Sequence, residues 1–324
     1  MNETSTTQTT NTPYDDASRT LLKRCPNLIL PIINEIFNTN YAPTEKVTLL
    51  DNEFFLNRQN GNQVERITDS NFLVKSIPYH LEFQSSTDGT ILIRIFEYDS
   101  QIALQNSTLE GNGLKVKFPN TALIYLRHTK NTPDEMNILI EVPGNSCGYA
   151  VPVIKVQAYS IEEMFEKNLL FLIPFHIFVY EKDFKEYDTD AKKLEQLKLI
   201  YMNIFTKLEE YVGNGVISIY EQRVIIDMSK KVLEHIAENY FNVRKGVSEI
   251  MGGKIIELEA YNILVAGEAK GRREDILALL KVLGNIPEFL EEKIQQEKDP
   301  TLLKQWFNVA IASKSIDHFI EAIS

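Results

Sequence analysis

Strand-like alternation runs through the first 180 or so residues and then stops. Before that point, short β-branched and aromatic runs alternate with helical periodicity: 46-KVTLLDNEFF-55, 63-QVERITDSNFLV-74, 79-YHLEFQ-84, 122-ALIYLRH-128, 136-MNILIEV-142 and 151-VPVIKVQ-157. After residue 182 every periodic stretch is helical, at 190–212, 216–241, 255–283, 285–297, 300–312 and 314–323. A chain patterned this way predicts an α/β unit followed by helices. The expected division is a tail over 1–16, an α/β domain over 17–181 and a helical region over 182–324. Residues 1–16 are rich in Thr, Asn and Ser, too polar to bury a core, and carry neither the positive nor the apolar region of a signal peptide.

Within the first part, Pro26 and Pro31 open a helix near 26–38 whose apolar stripe is Leu28, Ile32, Ile33 and Ile36. Residues 90–106 have the spacing of an amphipathic helix. Residues 151–157 are nearly all β-branched, as in a strand buried on both faces. Ser160 and Glu163 form a capping box that opens an apolar helix over 161–178. The most apolar run, 169-LLFLIPFHIFVY-180, is short and broken by Pro174 and His176, so it reads as buried protein rather than a membrane span. His176 reads as a core histidine. Two cysteines, Cys25 and Cys147, are too few for a disulfide framework and lack the neighbours of a zinc or nucleophile site, which points to a reduced, cytoplasmic compartment.

The 324 residues carry a net charge of −11, with 14 basic and 21 acidic residues up to Glu181 and 20 and 24 after it. Neither part is a basic module, so recognition of nucleic acid has to rest on a local site rather than on the overall field. Lys115, Lys117, Arg127 and Lys130 form a loose basic cluster that could line a DNA groove or simply be a solvated face.

Residues two apart on a strand share a face. Glu82 and Gln84 therefore stand side by side, opposite Leu81 and Phe83, and His80 joins them as a third polar group. Asp69 precedes them across a hairpin-like connection and reaches Glu82 if the strands pair about Ser76–Tyr79. Two carboxylates meeting at a strand edge repel unless a cation lies between them. A hard divalent ion with oxygen ligands suits that place and activates water for phosphodiester hydrolysis. An alternating strand with one polar face is the plainer reading of the same residues. Arg94 and Glu97, three apart on the next helix, read as an intrahelical pair, with a phosphate contact for Arg94 as the alternative.

The run 65-ERITDSNFLV-74, the run 79-YHLEFQSSTDGTILIRIFEYDSQIAL-104, residues 151–178 and, more weakly, 303–322 together resemble the PD-(D/E)XK nuclease superfamily. Within it they resemble the branch of recombination-promoting nucleases and transposase-like proteins. The likeness covers most of the chain, and 79–104 is its most specific part. It implies a restriction-endonuclease-like core (helix, mixed β-sheet, helices) followed by an all-helical region. It implies a hydrolase that cuts DNA with Mg²⁺ or Mn²⁺, with Asp69 and Glu82 as metal ligands, Gln84 in the place of the superfamily's lysine, and Glu35 as the acid of the first helix. Arg94, Lys115 and Lys117 are the candidate phosphate contacts, and a homodimer would suit double-strand cutting. Thr68 stands where the name-giving proline would be. Gln84 can orient a water or bond a phosphate but supplies no positive charge. The alternative is a member that keeps the fold as a binding or assembly module.

Overall fold

A computed structural model describes residues 13–50, 53–57, 63–67, 70–85 and 89–323. The chain begins with α1 (Pro13–Arg24), a 3-10 turn over Pro26–Ile29, and α2 (Leu30–Phe37), which Asn38 ends in a left-handed conformation at φ 50. Pro26 and Pro31 both lie in first turns, where the missing N–H has no partner to lose. Strands follow: β1 (Val47–Leu49), β2 (Glu53–Asn57), β3 (Gln63–Ile67), β4 (Ser70–Val74) and β5 (Ile77–Gln84). Next come α3 (Ile91–Gln105), the short β6 (Thr108–Glu110) and β7 (Gly113–Lys115), then β8 (Asn120–Tyr125), β9 (Glu135–Val142) and β10 (Asn145–Lys155).

Six strands form one mixed sheet in the order β1-β4-β5-β8-β10-β9. β1, β4 and β5 are antiparallel neighbours. α3 then carries the chain across to β8, which lies parallel to β5, and β10 lies parallel to β8 before β9 closes the edge antiparallel. β2 and β3 form a separate ribbon, as do β6 and β7. The chain is therefore mixed α/β.

β5 is buried on both faces for different reasons. Tyr79, Leu81 and Phe83 turn to an aromatic core, with Tyr79 stacked on Phe72 and tilted on Phe37, and Phe83 against Phe171 and Phe175 at 5.9 and 5.7 Å. His80, Glu82 and Gln84 turn to the opposite face, under α3.

The predicted tail boundary at residue 16 falls inside a helix. α1 starts at Pro13, because Tyr14 is an anchor: it is 5 % exposed and packs edge-on against Phe178 and His235, at the head of a buried stripe of Ala17, Ser18, Leu21 and Leu22. The run 151–157 is less sandwiched than its composition suggests. Val151 and Val153 are buried, Pro152 and Ile154 only half so, and the strand ends at Lys155. Its first part, Asn145–Ala150, extends beyond β8 and pairs with β9 alone.

Where one helix is expected over 161–178 there are two segments. α4 (Ile161–Glu166) opens on the Ser160–Glu163 capping box, Asn168 turns left-handed at φ 55, and a 3-10 stretch runs over Leu170–Val179 with Pro174 inside. Proline has no N–H and fits poorly inside an α-helix. His176 lies in this stretch, 2 % exposed, with Nδ1 making no hydrogen bond among the described residues. Burial pushes its pKa down to about 4. The unfolded chain thus takes up this proton first, so the stabilisation is present above pH 6.5 and is lost as pH falls through 4, on the order of 3 kcal/mol in all. Urea unfolding against pH should show a shallower acid slope for His176→Phe than for the parent; equal slopes would contradict a neutral buried imidazole.

α5 (Phe184–Thr189), α6 (Ala191–Gly213) and α7 (Ile219–Ile236) follow, with N-caps from Asp190 and from a Ser218–Glu221 capping box. α8 (Phe241–Leu283) is 43 residues long, and α9 (Glu288–Gln296), α10 (Pro300–Ala312) and α11 (Ile316–Ala322) complete the chain. Two compact units divide at Gly252 and Gly253, so α5 to α7 belong to the unit that holds the sheet. The second unit has its own core, built on Ile276, Leu280, Leu290, Ile294, Leu303, Trp306 and Phe319. Among the described residues, no helix is long and apolar enough to cross a membrane.

One glycine is fixed by close approach. A Cβ on Gly148 would lie 2.3 Å from the carbonyl oxygen of Ile138 on β9. Gly148→Ala should therefore push the two strands apart, costing about 1–3 kcal/mol, and a thermal melt equal to the parent's would refute this.

Candidate functional site

The polar face of β5 meets α3 near the carboxyl end of the strand. Glu82 is 4 % exposed, and its Oε1 accepts from Arg94 Nη2 at 2.7 Å and from Gln84 Nε2 at 3.3 Å. Strand alternation thus brings Glu82 and Gln84 together, as the spacing predicts. Arg94 reaches across to the strand and pairs with Glu82. A guanidinium on a nearly buried carboxylate gains more than a solvated i,i+3 pair does.

Behind Glu82 the polar chain continues inward. His80 Nε2 faces Glu82 Oε2 at 3.5 Å, an ion pair without a hydrogen bond. His80 Nδ1 meets Asp99 Oδ1 at 2.8 Å. Asp99, on α3, also accepts from Thr121 Oγ1 at 2.7 Å and Tyr149 OH at 2.6 Å. His80 and Asp99 are both fully buried. Burial alone would depress the His80 pKa, but the hydrogen bond to Asp99 and the charges of Asp99 and Glu82 outweigh it and raise it to about 9. The imidazole is thus a cation at neutral pH, held between two carboxylates. Burial, then the neighbouring Asp99 charge, pushes the Tyr149 hydroxyl far up, so it stays a donor.

Ser70 closes the β4–β5 ladder beside this site: its hydroxyl bonds both the carbonyl and the N–H of Leu81. Asp69, the residue before it, lies outside the described residues. On the other side, Arg127 pins the end of β5. It donates to Ser85 O at 2.9 Å, grips Glu181 through two nitrogens and lies over the Phe178 ring at 4.6 Å. Arg127 is therefore a structural clasp rather than part of an open basic groove. Lys115, on the β6–β7 ribbon, pairs with Glu110 at 3.0 Å, and Lys117 is exposed beyond it.

Glu35 is not brought to Glu82. Its Oε1 accepts from Lys167 Nζ at 2.5 Å and Tyr159 OH at 3.3 Å, and it lines a separate cavity of about 630 Å³ with Leu28, Leu30, Leu170 and Ile217. α2 serves the Tyr79 face of β5, through Phe37, which is the face away from Glu82. Of the two cysteines, Cys25 is buried, with burial pushing its thiol up to about 12, and Cys147 is exposed on β10.

Compared with protein-family models, curated proteins and solved structures, the chain matches none. The site is therefore read from its own chemistry. Among the described residues, no three His, Cys, Asp or Glu side chains are grouped to hold a metal ion. Glu82 Oε2 accepts no hydrogen bond among them and faces His80 Nε2 at 3.5 Å, so a hard cation would share that oxygen with the imidazole. Glu82 and Gln84 thus offer two oxygen-bearing groups on one face.

Three residues of this cluster carry no sequence-level assignment: Asp99, Thr121 and Tyr149. Asp99 alone leaves a trace in the sequence, as an acid within the apolar stripe Ile91, Ile95, Tyr98 and Ile102 of α3.

Proposed function

We propose that the sheet unit is a metal-dependent DNA endonuclease of the PD-(D/E)XK kind, in the branch linked to recombination or mobile elements. The observation that carries this reading is the Glu82–Gln84 pair at the end of β5, held by Arg94 and backed by His80 and Asp99. The order of elements supports it too. A helix before the sheet bearing Glu35, a strand bearing Glu-x-Gln and a following helix over a mixed sheet are what a restriction-endonuclease-like core requires of this sequence.

Asp69 and Glu82 would hold Mg²⁺ or Mn²⁺, with Gln84 beside them on the strand. Such an ion, when bound, supplies an activated water and stabilises charge on the phosphodiester. The chain's own groups prepare the site. Arg94 and His80 fix the Glu82 carboxylate, and Asp99 fixes His80. Gln84 orients the water that adds to phosphorus as one P–O bond breaks. Arg94 also places positive charge beside the position of the scissile phosphate, and Lys115 and Lys117 extend the contact to the DNA backbone. Glu35 acts elsewhere in this reading.

A second reading has its own observation. Both oxygens of Glu82 already face cations of the protein, and Gln84 is neutral. The same fold would then serve as a binding or assembly module. Incubation with supercoiled plasmid and Mg²⁺ or Mn²⁺, with EDTA alongside, tests the first reading. Cutting that EDTA abolishes supports it. Absence of cutting, together with no Mn²⁺ binding by calorimetry at millimolar concentration, would leave the module reading.

A further inference from the structure

The two edges of the sheet differ. β1 is three residues long, whereas β9 offers eight residues, Glu135–Val142, with no strand paired to one side of it among the described residues. Proteins blunt such edges with brevity, proline, lysine or a bulge, because a bare edge recruits another strand. β9 has none of these. Its register with β10 runs unbroken from Asn145↔Val142 to Pro152↔Glu135, and no proline or lysine lies within it. Leu139 at its centre is 69 % exposed and Val142 is 46 % exposed. Opposite Leu139 lies Gly148, which puts no side chain beside the leucine on that face of β10.

We propose that two copies of this chain join through β9, pairing edge to edge in antiparallel fashion about a two-fold axis at Leu139. The strand's own sequence fits itself in this register. Leu139 meets Leu139, Ile138 meets Ile140, Met136 meets Val142, and Asn137 meets Glu141. Every apolar residue faces an apolar one, and each Glu141 carboxylate faces an amide. Shifting the axis to Ile138 would set Glu135 against Glu141, and like charges directly opposite destabilise a strand pair. The self-pairing about Leu139 avoids that repulsion and satisfies the open backbone groups of both copies. It joins two six-stranded sheets into one, with the symmetry that homodimers most often use.

The test uses the full chain and reads association, not cleavage, so it succeeds or fails independently of the nuclease reading. Sedimentation velocity over about a hundredfold range of concentration should show a dimer that dissociates on dilution. Leu139→Lys should weaken it at least tenfold while circular dichroism stays unchanged, because the side chain is exposed. In a Cys147→Ser background, Leu139→Cys should form an oxidised dimer across the axis, where opposite Cβ atoms lie about 5 Å apart. Leu109→Cys, 82 % exposed on the β6–β7 ribbon, should not. A monomer at every concentration, or a dimer indifferent to Leu139→Lys with no cross-link at 139, would overturn the proposal.

Discussion

Glu82→Ala is expected to lower metal-stimulated DNA cleavage by about a thousandfold, the equivalent of ~4 kcal/mol of transition-state stabilisation. Glu82 is the described carboxylate on which the other groups of the site converge. Arg94, Gln84 and His80 all point at it, and its Oε2 accepts no hydrogen bond among the described residues. Losing it would remove the proposed metal ligand and leave Arg94 and His80 facing each other across the gap. Asp69→Ala should show the same loss if the two acids share an ion. Initial rates on supercoiled plasmid, with circular dichroism to confirm folding, give the measurement. A folded Glu82→Ala protein that cuts at the parental rate would end the assignment.

Asp99→Leu should cost about 3–5 kcal/mol of stability, because it leaves the His80 cation buried with only the distant pairing to Glu82. Thr121 and Tyr149 would lose their acceptor at the same time. In a chain of this size that corresponds to a drop in melting temperature of about 10 °C. The companion variant is His80→Leu with Asp99→Leu. Removing both charges should destabilise by clearly less than the two single changes added together, because neither is then stranded. Additive effects in urea unfolding would mean that the pair is not coupled, against the 2.8 Å contact.

Alternation along 79–84 was enough to place Glu82 and Gln84 on one face, since a strand's period of two is imposed by the backbone. The boundaries of α3, β9 and α10 were legible for similar local reasons: an amphipathic stripe, a β-branched run, an Asp299–Pro300 start. What could not be read was the company those residues keep. Arg94 has a plausible partner three residues away, and the spacing says nothing of its contact with Glu82 on another element. Glu35 sat on a suitable first helix, but α2 packs against the Tyr79 face, and no local pattern says which face of a sheet a helix will cover. The start of α1 was hidden because Tyr14 follows a polar run and its partners, Phe178 and His235, lie far along the chain.

The contacts around Asp99 also bear on the order in which the molecule assembles. Its partners lie 19, 22 and 50 residues away, on β5, β8 and β10. Each closes a loop whose entropy must be lost before the contact is gained. As the chain leaves the ribosome, β5 and α3 emerge first, with one carboxylate and one imidazole able to meet. The second oxygen of Asp99 waits for Tyr149. A nascent chain stopped short of β10 would hold an incompletely bonded acid in its interior, so completion of the strand after the Pro143–Gly144 turn acts as a late latch on the whole polar cluster, and slow, non-local docking of this kind sets the pace of folding.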